Sequence, residues 1–198
     1  QCRENGLAFG VGLSPMGAHH DYARQRPALL EKVRLIEEEL KPDILAVLFD
    51  DMKGDTPDLA HWQLTIAHDI AAHTGASRLI FCPSYYSTDP VLEKVFGAMP
   101  PHYLTDLGQG LDKRFDIFWT GPRVCSTEYP AAHLKQAADW LHRKPSLWDN
   151  YPVNDGSVRS NFLYTSKLRA RSPALRPLLS GHLCNPMNQG LLSLPALS

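Results

Sequence analysis

The sequence has no apolar run that approaches the roughly 20 residues of a membrane span, so no transmembrane helix is expected. No Gly-rich phosphate loop follows any of its strand-like segments, which counts against a nucleotide-binding fold. It has almost no net charge, −1 over 198 residues, so no basic field is present to hold a nucleic acid. The opening "QCRENGLAFG" lacks a charged start followed by an apolar stretch, so these residues show no signal-peptide pattern. Cysteine is sparse: Cys2, Cys82, Cys125 and Cys184 lie far apart, with no CxxC pair and no zinc spacing. Three of them lie in or just after apolar runs, which predicts buried free thiols rather than a disulfide framework.

What the chain does have is alternation. Six short apolar or β-rich runs can be read at residues 7–14, 43–50, 78–84, 115–120, 146–150 and 182–186. Runs of this length, apolar on both faces, fit buried parallel strands. Helical patterns lie between them. From Ala28 to Leu40 the apolar positions Leu29, Leu30, Val33, Ile36 and Leu40 recur at helical spacing. A second helix is expected from Thr56 as N-cap, with Pro57 in its first turn and Gly75 ending it. A third is expected from Ala131 to His142. The stretch 87–112 reads as only partly helical, and 155–171 as a polar ordered loop. No linker or low-complexity segment divides the chain, so one domain is expected.

Strand ends recur every roughly 28 to 37 residues, about one βα unit each. That rhythm fits a doubly wound sheet or a (β/α)8 barrel, and the strand ends favour the barrel. Nearly every strand ends in polar or aromatic groups: "SPM", "FDD", "PSYY", "WTGPRV", "WDNYPVND", "NPMNQ". A barrel collects its functional groups from the C-terminal ends of many strands, whereas a doubly wound sheet concentrates ligands near one switch point. The fold class is therefore α/β, a TIM barrel.

The segment "LAVLFDDMKGD" ends a strand in two adjacent aspartates, Asp50 and Asp51. The pair by itself leaves three readings open. It caps the next helix, it binds a divalent metal with Asp55 as a third oxygen ligand, or it does acid/base work. The other strand ends add Tyr86, the aromatic Trp148, the amides Asn150 and Asn185, and the carboxylate Asp155. An aromatic platform with amides and carboxylates suits a neutral ligand rich in hydroxyls. Each hydroxyl needs a donor or acceptor, and the flat face of a sugar packs on an aromatic ring.

The motifs "LFDDMKGD", "FCPSYY", "WTGPRV", "LWDNYPVND" and "GHLCNP", in this order, resemble those of glycoside hydrolase family 84, the β-N-acetylglucosaminidases. The resemblance runs from "LAFGVGLSP" to "NPMNQ". It implies that Asp50 polarises the substrate's acetamido group and that Asp51 is the general acid/base. It implies that Tyr86, Trp148 and Asn150 surround the acetamido group and reaction centre. Asp155 and Asn185 would hold hydroxyls at the far end of the sugar, and Val124 would lie near the aglycone mouth. Tyr85 stands where the family often has an acidic residue, and Met16 then Gly17 stand where it often has glycine. The implied substrate is an N-acetylglucosaminide or an O-GlcNAc-modified protein or peptide, with no metal, cofactor, nucleic acid or membrane partner. The resemblance also implies that strands 3–8 are present here. The family's first two strands, with their Gly-rich and Lys-Asp-Asp segments, would precede Gln1.

The implied chemistry explains the adjacent carboxylates. A retaining glycosidase normally places its two carboxyl groups about 5 Å apart on opposite sides of the bond, which neighbouring residues cannot do. A substrate acetamide that attacks its own anomeric carbon, forming an oxazoline, removes the need. Two close carboxylates also resist double ionisation, so one pKa should rise toward that of a useful acid. A non-catalytic N-acetylglucosamine-binding protein on the same scaffold is the alternative, since fold does not fix function. A metal-dependent phosphoryl-transfer enzyme comes third.

Overall fold

A computed structural model describes residues 1–54 and 56–198; Asp55, the third oxygen ligand in the metal reading of the aspartate pair, lies outside the described residues. The six expected strands all form: β1 (Gly10–Leu13), β2 (Ile44–Leu48), β3 (Arg78–Cys82), β4 (Phe115–Trp119), β5 (Ser146–Asp149) and β6 (Gly181–Cys184). They make one sheet in the order β1-β2-β3-β4-β5-β6, and every pair is parallel. A doubly wound sheet would reverse its order at a switch point. Strict sequential order is the winding of a barrel, and six strands make an open half-barrel.

The two faces of the sheet differ. Along β2, Leu45 and Val47 are fully buried while Ile44, Ala46 and Leu48 are only half-buried. The buried set faces the helices. Leu45, Val47, Leu79, Phe81, Phe115, Ile117 and Trp119 form one apolar cluster with Ile66 and Ile70 of α2 (Leu59–Ala72), Leu107 of α4 (Tyr103–Gly110) and Leu141 of α5 (Ala131–Leu141). The other set forms the concave face, where Ile80, Cys82 and Phe118 pack with Leu48, Trp148 and Leu183.

The helices depart from the sequence reading at their ends. Helix α1 (Tyr22–Glu39) starts before Ala28, because the Asp21 side chain accepts a hydrogen bond from Arg24 N–H at 3.3 Å and caps it. Pro27 sits inside this helix. Thr56 does not cap α2: that helix begins at Leu59, after Asp58 in a left-handed conformation with φ 55°. The Thr56 hydroxyl instead lies 3.3 Å from His19 Nε2. Helix α2 stops at Ala72, before Gly75. The partly helical stretch holds α3 (Pro90–Phe96), capped by Asp89, and α4. The loop 155–171 contains a single helical turn, α6 (Gly156–Arg159), and α7 (Leu194–Leu197) lies at the chain's end. All four cysteines are free, as expected, but only Cys82 is buried. Cys125 lies in a loop and Cys184 ends a strand with an open edge, so neither is fully covered.

Candidate active site

The site begins where β2 ends. Phe49 is fully buried among the helices, and side chains alternate along extended chain, so Asp50 is turned to the concave side. The Phe49 carbonyl accepts a hydrogen bond from Ser84 Oγ at 2.8 Å. Ser84 Oγ accepts one from Gln63 Nε2 at 2.8 Å, and Gln63 Oε1 accepts one from Tyr103 OH at 2.6 Å. The Tyr103 oxygen in turn accepts the Ser84 N–H at 3.0 Å. This buried network joins the ends of β2 and β3 immediately behind the aspartate pair.

Asp50, Asp51, Tyr86, Val124, Trp148, Asn150, Asp155 and Asn185 all line one cavity of about 260 Å³. Every site candidate of the sequence is therefore brought to one place, from the ends of five strands, β2 to β6, and their loops. The volume falls just below the roughly 300–1,000 Å³ of drug-sized ligand sites, so it admits one small ring system rather than an oligomer. Cys82, Thr120, Cys125 and Val153 line it as well. Thr120 carried a signal in "WTGP"; its N–H donates to Tyr86 O at 2.9 Å and its hydroxyl to Arg123 O at 2.9 Å, bracing the turn. Cys125 and Val153 reach the cavity through loop paths that no local pattern encodes.

The amides are chained. Asn185 Nδ2 donates to Asn150 Oδ1 at 3.1 Å, and Asn150 Nδ2 donates to Val124 O at 2.8 Å. Each carboxamide has two N–H donors and an acceptor oxygen, so both keep hydrogen-bonding capacity for a ligand. Val124 N–H is held by Asp89 Oδ2 at 3.1 Å. Trp148 packs its ring on Phe118 with centroids 4.6 Å apart and stays half-buried, leaving part of the indole to the cavity. Asp155 precedes α6 without capping it, so its exposed carboxylate is not committed to the helix.

Burial, and then the charge of Asp51, push the Asp50 carboxyl above the ordinary aspartate range. Burial also raises Tyr86, helped by Cys82, Asp50 and Asp51, so its phenol stays protonated and able to donate. The Cys82 thiol is raised by burial and by both aspartates. A half-buried carboxyl, an exposed neighbouring carboxyl, a protonated phenol, two amides and an indole can bind a hydroxyl-rich ring and move protons at one end of it. Among the described residues, the group with metal-ligand spacing is Asp149, His182 and Cys184, which does not include the aspartate pair.

The sequence profile of a family described as beta-N-acetylglucosaminidase matches residues 1–198. Protein O-GlcNAcase of Rattus norvegicus is 32% identical over 150 residues, covering 71% of this chain and 16% of the relative, and that of Mus musculus gives the same figures. A solved structure of a Thermobaculum terrenum O-GlcNAc hydrolase mutant aligns with a TM-score of 0.77 at 29% identity, covering 96% of this chain and 42% of that chain. The chain thus spans 16% of the length of these curated relatives.

Proposed function

This chain belongs to the β-N-acetylglucosaminidase family, glycoside hydrolase family 84, and on that premise we propose that its cavity serves a retaining exo-β-N-acetylglucosaminidase working through an oxazoline. The convergence of Asp50, Asp51, Tyr86, Trp148, Asn150, Asp155 and Asn185 on one small cavity carries this reading. The substrate is a terminal N-acetylglucosamine on a protein, peptide or small aglycone.

In this mechanism the acetamido oxygen attacks the anomeric carbon while Asp51 gives its proton to the departing oxygen. Water then opens the oxazoline at the same carbon, and Asp51 takes the water's proton. Intramolecular attack is worth effective molarities of about 10⁵–10⁸ M, and positioned proton transfer about 10²–10⁴-fold. Asp50 accepts the acetamido N–H. Burial disfavours its anion, and the positive charge that develops on the oxazoline ring favours it. The stabilisation is therefore greatest in the transition state. Tyr86 donates to the acetamido group, Trp148 walls it, and Asp155 and Asn185 hold the distant hydroxyls.

A series of aryl N-acetylglucosaminides with increasingly fluorinated acetyl groups tests the reading. The assay uses a barrel closed by two further N-terminal strands, since we also propose that these residues are strands 3–8 of the catalytic domain. The rate should fall steeply with each fluorine, because the nucleophile loses electron density. A flat dependence with a trapped glycosyl–aspartate ester would overturn substrate assistance. Tight binding of N-acetylglucosamine with no turnover of any member would instead make the chain a sugar-binding protein.

A further inference from the structure

A second cluster of functional side chains sits on the opposite side of the sheet from the cavity. Trp148 and Asn150 line the cavity, so Asp149 between them points the other way, and it is fully buried. Arg171 donates to both its oxygens, Nε at 2.8 Å and Nη2 at 2.7 Å. On the neighbouring strand, His182 Nε2 lies 3.0 Å from Asp149 Oδ2, and Cys184 Sγ lies 3.8 Å from the same ring nitrogen. The carboxylate oxygen, ring nitrogen and sulfur all lie within 4.8 Å of one another.

This is not the geometry of a Cys–His–Asp relay. A relay uses the two different ring nitrogens, one for the nucleophile and one for the carboxylate. Here thiol and carboxylate meet one nitrogen, so the three atoms face a common centre. Tetrahedral zinc bonds of about 2.0–2.3 Å separate donor atoms by roughly 3.3–3.8 Å, and the observed 3.0 and 3.8 Å lie close to that range. A second observation comes from Tyr129. Its buried hydroxyl is directed at the Asp149 carboxylate. Its ring lies 5.0 Å from the Arg171 guanidinium carbon, and after burial the charge of Asp149 is what raises its pKa most, which puts it beside the cluster.

We propose that Asp149, His182 and Cys184 form a zinc site that joins β5 to β6 on the face opposite the sugar cavity. Thiolate, imidazole and carboxylate together favour Zn²⁺ over the hard cations Ca²⁺ and Mg²⁺. On binding, the Cys184 thiol and the His182 Nε2–H each release a proton to solvent, the ring keeping its Nδ1 proton, and the ion takes the place of the hydrogen between Nε2 and Oδ2. The thiolate and the Asp149 carboxylate balance its two charges. Arg171 keeps the remaining lone pairs of the carboxylate and orients it, as outer hydrogen bonds do for ligating carboxylates. The fourth position is left for water, next to the Tyr129 hydroxyl. A cavity of about 440 Å³ opens beside the cluster at His182. The ligands come from strands whose members are 33 residues apart, so no local Cys/His spacing announces the site. Zinc here would stiffen the strand ends that carry Asn150 and Asn185, because Asn185 N–H donates to Asp149 O at 2.9 Å.

The test is a Co²⁺ titration of the 198-residue chain under reducing conditions. One equivalent should produce a near-ultraviolet thiolate-to-cobalt charge-transfer band with the intense visible bands of tetrahedral Co²⁺, both abolished by Zn²⁺. Cys184→Ser should lose the charge-transfer band, and His182→Gln should lose the tetrahedral visible bands, each with an unchanged circular dichroism spectrum. Arg171→Lys should weaken Zn²⁺ by about 10–100-fold. Should a variant fail to fold, competition between the parent chain and a chromogenic chelator still reads its own zinc affinity. The proposal is overturned by a parent chain that gives no charge-transfer band or releases zinc at once to the chelator. A band that survives Cys184→Ser, and so belongs to another cysteine, overturns it equally.

Discussion

Asp50 and Asp51 share a peptide bond and little else. Asp50 is half-buried against the strand ends, while Asp51 is exposed at the cavity. If Asp51 supplies the proton to the leaving oxygen, Asp51→Ala in the closed barrel should slow substrates with poor leaving groups by about 10²–10⁴-fold. Substrates with acidic phenol leaving groups, which depart without a proton, should lose far less. Equal losses across a leaving-group series would remove Asp51 from the role. Asp50 makes a prediction that needs no activity. Its carboxyl is raised above 3.8 by burial and by Asp51, so the folded state holds that proton more tightly than the unfolded chain does. The stability this proton gives is fully present below the ordinary aspartate value and is lost as pH rises through the raised one. Asn cannot ionise, so Asp50→Asn should unfold at a higher denaturant concentration than the parent at neutral pH, and the gain should shrink on acidification toward 3.8. A difference that stays constant over that range would mean burial does not act on this carboxyl.

At the level of elements, the strands were legible because most of them are short and apolar on both faces, and the site was legible because its residues follow those strands directly. Asp50, Tyr86, Trp148 with Asn150, and Asn185 need only the rule that a barrel gathers its strand ends. Helix boundaries were less legible. The start of α1 is polar in sequence, and its cap is the Asp21 contact rather than an apolar period. Thr56 has the residue type of a cap, but its hydroxyl is directed to His19. One close helix contact was invisible, because it depends on what a side chain would meet. A Cβ on Gly108 of α4 would lie 2.4 Å from the Leu141 carbonyl carbon and 2.6 Å from its oxygen, so α4 and the end of α5 meet backbone to backbone. Gly108→Ala would gain about 0.8–1 kcal/mol of helix propensity. It would lose at least the roughly 1–3 kcal/mol of an overpacked core, since backbone cannot swing aside. The net should be destabilisation. At Gly110 the new Cβ meets only the Leu64 side-chain tip at 2.6 Å, so Gly110→Ala should be distinctly milder. Urea midpoints of the two variants measure this, and a Gly108→Ala midpoint at or above the parent's would refute the close approach.

For the whole molecule the decisive fact is a sheet with two unpaired edges among the described residues, β1 and β6. Its helix side is closed: Val47, Phe81, Ile117 and Trp119 are fully buried there. Its concave side is not, since Ile44, Ala46, Leu48 and Leu183 are only half-buried, although a barrel interior is a packed core. Parallel strands with open edges invite pairing with other chains. The 198-residue chain should therefore bind an environment-sensitive apolar dye and associate with rising concentration. Adding two parallel strands that pair with β1 and β6 should suppress both effects. The same addition should tighten binding of a thiazoline mimic of the oxazoline, because Trp148 and Leu183 then pack against a filled interior and the strand ends carrying Asn150 and Asn185 lose freedom before the ligand arrives. Sedimentation, dye fluorescence and calorimetry on the two proteins read the three consequences separately. A chain that stays monomeric, ignores the dye and binds the mimic as tightly as the extended protein would show that six strands suffice to build the site.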